Sequence, residues 1–276
     1  MVDINTVIVN WKMKEDIDKC LASFFNDLGE SRLKVVVHVV DNSQNQDGIK
    51  ELLDEKYPQV KYIDAGGNVG FGRAQNLGLK RQEANFYLSL NPDCEFPVGE
   101  RVLERMVEFL EADPEIGMAG PKLLNSDGGL QYSCYRFPAF LDQIGRRLGW
   151  DKRSKRFRQK VDHYLMKDFD HRSDVPVDWL MGSFIFVKME VVNKIGFFDD
   201  RFFMYFEDCD WCRRVWRAGW KVYYVHNIQV KHGHRRGSAQ DRAWKSILTN
   251  PITRIHIKSW LKYFGKWGLR KEHRGV

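Results

Sequence analysis

The sequence predicts an α/β fold in which helices flank both faces of a mostly parallel mixed sheet. Short apolar runs rich in β-branched residues alternate with segments whose apolar residues have helical spacing. Several runs stop at turn-forming residues, as Val35–Val40 does at Asp41-Asn42-Ser43. Alternation of this kind is typical of parallel sheets, whose ligands bind beyond the carboxyl ends of the strands.

The first half of the chain is predicted to alternate strictly between strand and helix. In order, we expect strand Thr6–Trp11, helix Asp16–Leu28, strand Val35–Val40, helix Gly48–Lys56, strand Val60–Ile63, a glycine-rich turn Gly66–Gly72, helix Arg73–Lys80 and strand Phe86–Leu90. The first helix illustrates the pattern, because Ile17, Leu21 and Phe24 share one of its faces.

The second half continues the pattern around a long basic insertion. In order, we expect helix Val102–Leu110, strand Gly117–Leu124, loop Arg136–Asp174, strand Val177–Val187, helix Met189–Ile195, helix Glu207–Ala218, strand Val222–Val230 and a helical extension from Gln240. The insertion is predicted to be a loop with some helix, because Pro138 and Gly145 interrupt it. The chain thus divides into a domain of residues 1–238 and a basic, aromatic tail of residues 239–276.

Composition narrows the class of protein. The 276 residues suit one large domain with a helical annex, and 43% hydrophobic residues suffice for a core. A net charge of +7 favours nucleotide phosphates, nucleic acid or an acidic lipid surface. We expect no nucleic-acid partner, because no recognition motif is present.

The cysteines and the apolar runs bear on the compartment. Five cysteines without framework spacing indicate a reducing environment, and we interpret the C-x-x-C pair Cys209 and Cys212 as helix packing. No apolar run follows the first residues as in a signal peptide, and no stretch approaches the roughly 20 apolar residues of a membrane span. We expect a cytoplasmic protein, with peripheral contact at the inner face of the cytoplasmic membrane left open.

Two strand ends carry candidate ligands. Asp41 follows a strand and can accept hydrogen bonds from a base or ribose, although Asp-Asn-Ser is also good turn chemistry. Asp93, in Asn91-Pro92-Asp93, can hold Mg²⁺ or Mn²⁺ that bridges two phosphates, although this tripeptide is also an ordinary turn. His232, after the last strand, can complete a metal site, but a lone histidine is usually a surface residue.

Two helix starts carry further candidates. Gly66–Leu79 is a glycine turn that opens a helix, which suits a phosphate, but Gln75 breaks the dinucleotide-binding spacing and a purely structural turn stays open. Glu207, Asp208 and Asp210 begin another helix, where the dipole alone stabilises acids. Three acids framed by aromatic residues exceed what capping needs, so one can deprotonate an acceptor hydroxyl.

Six motifs in this order resemble glycosyltransferase family 2, whose fold is GT-A, a Rossmann-like sheet. The motifs are VIVNW (Val7–Trp11), VVDNSQNQDG (Val39–Gly48), NVGFGRAQNLGL (Asn68–Leu79), LNPDCEF (Leu90–Phe96), WLMGSFIFVK (Trp179–Lys188) and GFFDDRFFMYFEDCDWCRRVWRAGW (Gly196–Trp220). Within the family, the chain is most similar to the rhamnosyltransferase-like members of O-antigen and cell-wall polysaccharide pathways.

The resemblance implies a role for each matching residue. The nucleotide is expected to contact Val9, Asp41, Asn68, Gly70, Arg73 and Asn91. The wall between donor sugar and acceptor is expected to contain Trp179, Met181 and Gly182. Asp93 and His232 are expected to hold Mg²⁺ or Mn²⁺. Asn91 replaces the first acid of the family's D-x-D motif, which leaves Asp93 as the main carboxylate ligand. Asp208 matches the catalytic base, with Glu207 beside it.

The activity that the resemblance implies is metal-dependent glycosyl transfer with inversion. The donor is a dTDP- or UDP-sugar, with dTDP-rhamnose as the first candidate, and the acceptor is a glycan or a lipid-linked glycan. The alternative is a sugar-phosphate nucleotidyltransferase, which also uses a metal and a nucleotide. The aromatic-flanked pair Glu207-Asp208 suits a hydroxyl acceptor and argues against that alternative.

The tail is predicted to be an amphipathic helix. Trp260, Phe264 and Trp267 share one face, beside a basic row of Lys258, Lys262 and Lys266. Such a helix suits the surface of an anionic bilayer. The alternatives are that the aromatic face packs on the enzyme's own sheet or on a second subunit, as in a homodimer.

Overall fold

The computed structural model describes residues 2–29, 31–147, 149–233 and 250–269. The strands are β1 Val2–Asn10, β2 Val35–Asp41, β3 Lys61–Asp64, β4 Ala84–Leu90, β5 Cys94–Glu95, β6 Ile116–Leu124, β7 Leu130–Gln131, β8 Cys134–Tyr135, β9 Val175–Pro176, β10 Trp179–Leu180, β11 Phe184–Lys188 and β12 Lys221–His232. The helices are α1 Lys14–Leu28, α2 Ile49–Lys56, α3 Phe71–Leu79, α4 Val102–Ala112, α5 Phe140–Arg147, α6 Trp150–Arg153, α7 Lys155–Tyr164, α8 Met189–Ile195, α9 Glu207–Arg217 and α10 Pro251–Trp267.

One sheet organises the molecule. Its strand order is β3-β2-β1-β4-β11-β6-β12-β5, with β7 on β6 and β9 on β12, while β8 and β10 pair separately. Strands β1 to β4 are mutually parallel, and β11 runs antiparallel between β4 and β6. The predicted α/β class with a mostly parallel mixed sheet is confirmed.

The parallel register gathers the polar strand ends at one edge. Asn10 lies opposite Asp41, and Ile8 lies opposite Leu90, which directly precedes the Asn91–Asp93 turn. Because parallel strands all end on the same side, residues far apart in sequence meet there. This edge carries the candidate site.

Helices cover both faces of the sheet. One core contains Ile17, Leu53 and Met106 from α1, α2 and α4, and the other contains Ala74 and Trp211 from α3 and α9. All five cysteines are free and buried. Cys209 and Cys212 sit in such packed surroundings, as the packing interpretation predicts.

The predicted strand Val177–Val187 is wrong as a single element. The chain instead forms β10 and β11 there, separated by a turn. Trp179–Leu180 leaves the main sheet to pair with Cys134–Tyr135, and the backbone returns to the sheet only after Gly182. The period of apolar residues does not reveal this break, because both pieces are buried.

The insertion Arg136–Asp174, predicted to be a loop with some helix, is more helical than expected, since it contains α5, α6 and α7. Gly145 does not end α5, because it permits close packing there. A Cβ at Gly145 would lie 2.1 Å from the ring of Phe157 and 2.7 Å from that of Trp150. The glycine that looks like a breaker in the sequence is thus required by tertiary packing.

The C-terminal helix α10 packs on the domain itself. Tyr263 and Phe264 are buried in a cluster with Phe137, Phe202 and Phe206, against which Trp260 and Trp267 also pack. The expectation that this aromatic face meets a bilayer is therefore wrong, and it packs on α9 and α5 rather than on the sheet. Residues 239–249 lie outside the described part of the chain. Among the described residues, no helix combines the length and apolarity that crossing a membrane needs.

Candidate active site

The candidate base lies at the first turn of α9. Tyr205 and Phe206 both have left-handed backbones, with φ of 71° and 69°, and so turn the chain abruptly into the helix. Asp208 Oδ2 accepts a 2.9 Å hydrogen bond from the backbone N–H of Gly182, and Oδ1 accepts one of 2.7 Å from Cys209. These bonds fix the carboxylate at the cavity wall.

Burial raises the pKa of Asp208 to about 6, although the backbone N–H groups of Cys209 and Gly182 oppose this shift. The carboxyl remains partly accessible from the cavity. A carboxylate with a raised pKa is a stronger base than an ordinary one and is still ionised at neutral pH. It can therefore accept a proton from a substrate hydroxyl.

Glu207 differs from its neighbour. It is 5% exposed, and among the described residues its Oε2 has no hydrogen-bond partner. Burial, followed by the charge of Asp208, raises the pKa of Glu207 well above its usual range. Burial thus favours the protonated form of Glu207.

The base lines a cavity of about 370 Å³. Seven residues named from the sequence line it together, namely Asn91, Trp179, Met181, Gly182, Glu207, Asp208 and His232. Gly182 adjoins Asp208 there, since a Cβ on it would lie in van der Waals contact with Asp208 Oδ2, at 3.4 Å. The indole N–H of Trp179 donates to the carbonyl oxygen of Arg136 at 3.0 Å, which holds that wall in place.

A second polar centre lies where β4 and β12 end. His232 Nε2 lies 3.1 Å from Asp93 Oδ1 and 3.3 Å from Asn91 Nδ2. His232 Nδ1 lies 2.7 Å from Gln131 Oε1, whose amide nitrogen donates to Asn125 Oδ1 at 3.0 Å. Gln131 Oε1 accepts from Nδ1–H, and this bond points Nε2 of His232 at Asp93.

That geometry fits a divalent cation. A lone pair and a carboxylate oxygen at 3.1 Å repel unless a proton or a cation lies between them, and an imidazole with one carboxylate is an acceptable donor pair. The described residues contain no cluster of three or more His, Cys, Asp and Glu side chains suited to a metal. A cation held here would need further oxygen ligands from a substrate, as diphosphates provide.

The remaining nucleotide candidates lie outside that cavity lining. Asp41 is fully buried, and it accepts hydrogen bonds from Asn10 Nδ2 at 3.0 Å, Ser43 Oγ at 2.6 Å, Tyr62 Oη at 3.1 Å and the backbone of Asn45. Burial alone would raise the pKa of Asp41, but bonds from Ser43 and Asn45 hold it below its ordinary value. Its contact with a base or ribose stays a prediction, as does that of Val9, which is 8% exposed.

The glycine turn before α3 has a structural task. Gly70 has φ +92°, and a Cβ there would lie 2.3 Å from the carbonyl oxygen of Phe203, which accepts from Phe71 N–H at 2.8 Å. The turn is therefore bound to the loop that leads into α9. Asn68 Oδ1 accepts from Gly70 N–H, and exposed Arg73 donates to the carbonyl oxygen of Asp200. Nucleotide contacts of these residues stay predictions.

Several lining residues were not expected from the sequence. Tyr164 comes from the insertion and Tyr135 from β8 just before it, and the ring of Tyr135 stacks on Trp179 with centroids 4.4 Å apart. His256 comes from α10 and packs against Tyr205 at 4.8 Å. Aromatic residues in a basic insertion were the only signal available, and nothing in the sequence points to Gln131.

Sequence comparisons agree with this geometry. The family model described as glycosyl transferase family 2 matches residues 6–208. The N-acetylglucosaminyl-diphospho-decaprenol L-rhamnosyltransferase of Mycobacterium tuberculosis is 26% identical, over 98% of this chain and 90% of that protein. Rhamnosyltransferase WbbL of Escherichia coli strain K12 is 25% identical, over 94% and 92%.

Solved structures share the fold at lower identity. GalNAc-T7 with UDP, GalNAc and Mn²⁺ matches 96% of this chain with a TM-score of 0.65 and 16% identity, and the match spans 48% of that chain. Mannosyltransferase PcManGT from Pyrobaculum calidifontis in complex with GDP-Man and Mn²⁺ matches 98% with a TM-score of 0.61 and 14% identity, across 65% of that chain.

Proposed function

The chain belongs to glycosyltransferase family 2 and has its GT-A fold, and from this we propose that it transfers a sugar from a nucleotide-sugar to a hydroxyl of a glycan or lipid-linked glycan acceptor in surface polysaccharide synthesis. Rhamnose from dTDP-rhamnose is the first candidate, supported by rhamnosyltransferases among its relatives. A UDP-sugar is the second candidate, because structural neighbours were solved with UDP and UDP-GlcNAc.

The observation that carries the proposal is the carboxylate of Asp208 at the cavity wall. Its pKa of about 6 suits a general base at neutral pH. Asp208 takes the proton of the acceptor hydroxyl, the resulting oxygen attacks the anomeric carbon, and the nucleoside diphosphate leaves. A single displacement of this kind inverts the anomeric centre. Burial raises the pKa of Glu207, and in its protonated form this residue adds no second charge beside the base.

Asp93 and His232 would hold the divalent cation, Mg²⁺ or Mn²⁺. When bound, the ion neutralises charge on the leaving diphosphate. Gln131 orients the imidazole of His232 so that Nε2 faces Asp93. Mn²⁺ in the structures of two fold neighbours supports this assignment.

The donor and acceptor would meet at one wall of the cavity. Trp179, Met181 and Gly182 lie beside Asp208 there, and Asn91 lies on the side of His232. The nucleotide would extend toward Val9, Asp41 and the turn from Asn68 to Arg73, as the family resemblance implies. Residues 1–238 would form the catalytic domain, with α10 of the tail as part of its wall through His256.

The acceptor class follows from the relative whose name specifies a sugar linked to a polyprenyl lipid through a diphosphate. We propose an acceptor of that class, reached by peripheral contact with the cytoplasmic membrane. The chain carries a net charge of +7, which favours an anionic surface.

The test is a panel of nucleotide-sugars with a polyprenyl-diphospho-N-acetylglucosamine acceptor. We expect release of nucleoside diphosphate with one donor, dependent on the acceptor and on Asp208. A nucleotidyltransferase would instead release inorganic diphosphate from a nucleoside triphosphate and a sugar phosphate. That outcome, or transfer that survives Asp208→Asn unchanged, would reject the proposal.

A further inference from the structure

A second cavity, of about 790 Å³, lies between α5, α7 and the end of α10. We call it the insertion groove. Part of its lining is apolar and contains Phe140, Leu141 and Leu269. Leu141 and Leu269 are 67% and 64% exposed, which leaves two large apolar residues of the groove in contact with water. A hydrocarbon chain in the groove would remove this surface from water.

The rest of the groove is basic. Arg156, Lys160 and His163 line it from one face of α7, at spacings of four and three residues. Asp142 also lines it and lies 3.9 Å from Lys160, and His163 lies 3.1 Å from Asp168. In the part of the chain that is described, the exposed guanidinium of Arg156 has no ion pair or hydrogen bond. The groove thus combines cationic groups for a phosphate with an apolar floor.

The groove and the catalytic cavity share their dividing wall. Asp142 and His163 line the groove, while the next residues along each helix, Gln143 and Tyr164, line the catalytic cavity. The two cavities therefore adjoin along α5 and α7. A free nucleotide-sugar has no hydrocarbon part to place there.

We propose that the insertion groove binds the diphosphate and the first isoprene units of a lipid-linked acceptor whose sugar lies in the catalytic cavity. This inference rests on the proposed function, because it assumes an acceptor of that class. The diphosphate lies against Arg156 and Lys160, and the hydrocarbon lies against Leu141 and Leu269. A bulk phospholipid has similar chemistry, but it carries no acceptor sugar to place in the adjoining catalytic cavity.

Equilibrium binding to the full chain tests the groove without any transfer reaction. The probe is farnesyl diphosphate in excess EDTA, which removes any metal-dependent binding at Asp93 and His232. Inorganic diphosphate and farnesol serve as comparison ligands, because the first has only the charged group and the second has only the hydrocarbon chain. We expect farnesyl diphosphate to bind more tightly than either, since it alone contacts both parts of the lining.

Paired variants locate the binding. Arg156→Glu and Leu141→Ser should each weaken farnesyl diphosphate binding about fivefold or more. Their matched controls, Arg153→Glu and Leu261→Ser, change exposed residues outside the groove and should leave binding unchanged. Thermal unfolding checks that all four variants are folded. Equal binding by Arg156→Glu and Arg153→Glu would overturn the proposal.

Two further measurements are needed. One distinguishes a phospholipid from a polyprenyl-linked acceptor as the ligand, and the other tests the groove separately from the proposed function. If vesicles of phosphatidylglycerol displace farnesyl diphosphate as well as the polyprenyl-diphospho-sugar does, the groove is a phospholipid site and the proposal is wrong.

In transfer assays, Arg156→Glu should raise KM for the polyprenyl-linked acceptor about fivefold and leave KM for a methyl glycoside acceptor unchanged. If polyprenyl-linked transfer occurs with equal KM in Arg156→Glu and Arg153→Glu, only the groove is rejected. If Arg156-dependent binding holds but no acceptor is glycosylated, only the proposed function is rejected.

Discussion

The ammonium group of Lys266 lies 2.6 Å from Asp210 Oδ1, and this ion pair joins the C-terminal helix to the helix that carries Asp208. Asp210 is fully buried, and it also accepts from the indole of Trp267 at 2.8 Å and from Arg214 at 2.9 Å. Because Asp210 lies two residues after Asp208, the position of α10 bears directly on the position of the base. The tail is therefore a structural part of the active site.

Removal of this ion pair should destabilise the protein. Lys266→Met leaves the buried carboxylate of Asp210 with fewer partners, and we expect the free energy of unfolding to fall by about 1–3 kcal/mol. Urea denaturation measures the change. Lys258→Met is the matched control, because Lys258 is exposed on the same helix. Equal midpoints for the two variants would show that the ion pair does not hold α10 in place.

Replacement of the base should stop transfer without unfolding the site. We expect Asp208→Asn to lower kcat by about 10²–10⁴-fold, which is the usual contribution of a general base. Donor binding, measured by calorimetry with the nucleoside diphosphate, should be unchanged. Near-normal turnover by the folded variant would remove Asp208 from the mechanism.

The raised pKa of Asp208 predicts how activity depends on pH. The base must be ionised, so kcat/KM should fall as pH decreases below about 6, and the residual activity of Asp208→Asn should lack this limb. A pH–rate profile with a saturating metal concentration measures it. An acidic limb near pH 4 would mean that burial does not perturb this carboxyl.

The raised pKa of Asp208 also predicts that Asp208→Asn stabilises the protein, and that it does so more at high pH than at low pH. The folded pKa of Asp208 lies above its unfolded value of 3.8, so its ionisation at pH 8 costs stability, and this cost vanishes as pH falls toward 4. Asp208→Asn should therefore raise Tm by a few degrees at pH 8 and by less at pH 4. A Tm difference that grows toward low pH would contradict this sign.

Because Asn91 stands where the family's D-x-D motif has an acid, we expect weak metal binding, and we expect Asn91→Asp to strengthen it. Asn91→Asp adds a carboxylate beside His232 Nε2, and we expect Mn²⁺ to activate the variant at about tenfold lower concentration, since ligand charge sets cation affinity. Asn227→Asp, which adds the same charge at an exposed position, is the control. EDTA should stop both enzymes. Full activity in excess chelator would mean that side-chain cations neutralise the diphosphate.

The sequence by itself determined the order of strands and helices in the first half of the chain, because the period of apolar residues decides between strand and helix over short windows. It also pointed to Asp93, Asp208 and His232 as chemical groups, since each follows a strand or opens a helix. The parallel register then brings the turn after β4 to the edge where the site lies, as the rule for strand ends predicts.

Only the tertiary structure decided which residues complete the site. Gly145 looks like an interruption in the sequence, yet it permits close packing against Phe157. Gln131 has no sequence signal, because its role depends on lying 2.7 Å from His232, which is 101 positions away. The aromatic face of α10 is suited both to a bilayer and to a protein surface. In the structure, α10 packs on the protein because Lys266 pairs with the buried Asp210 and its aromatic residues join a cluster from other elements. The local sequence cannot show either contact.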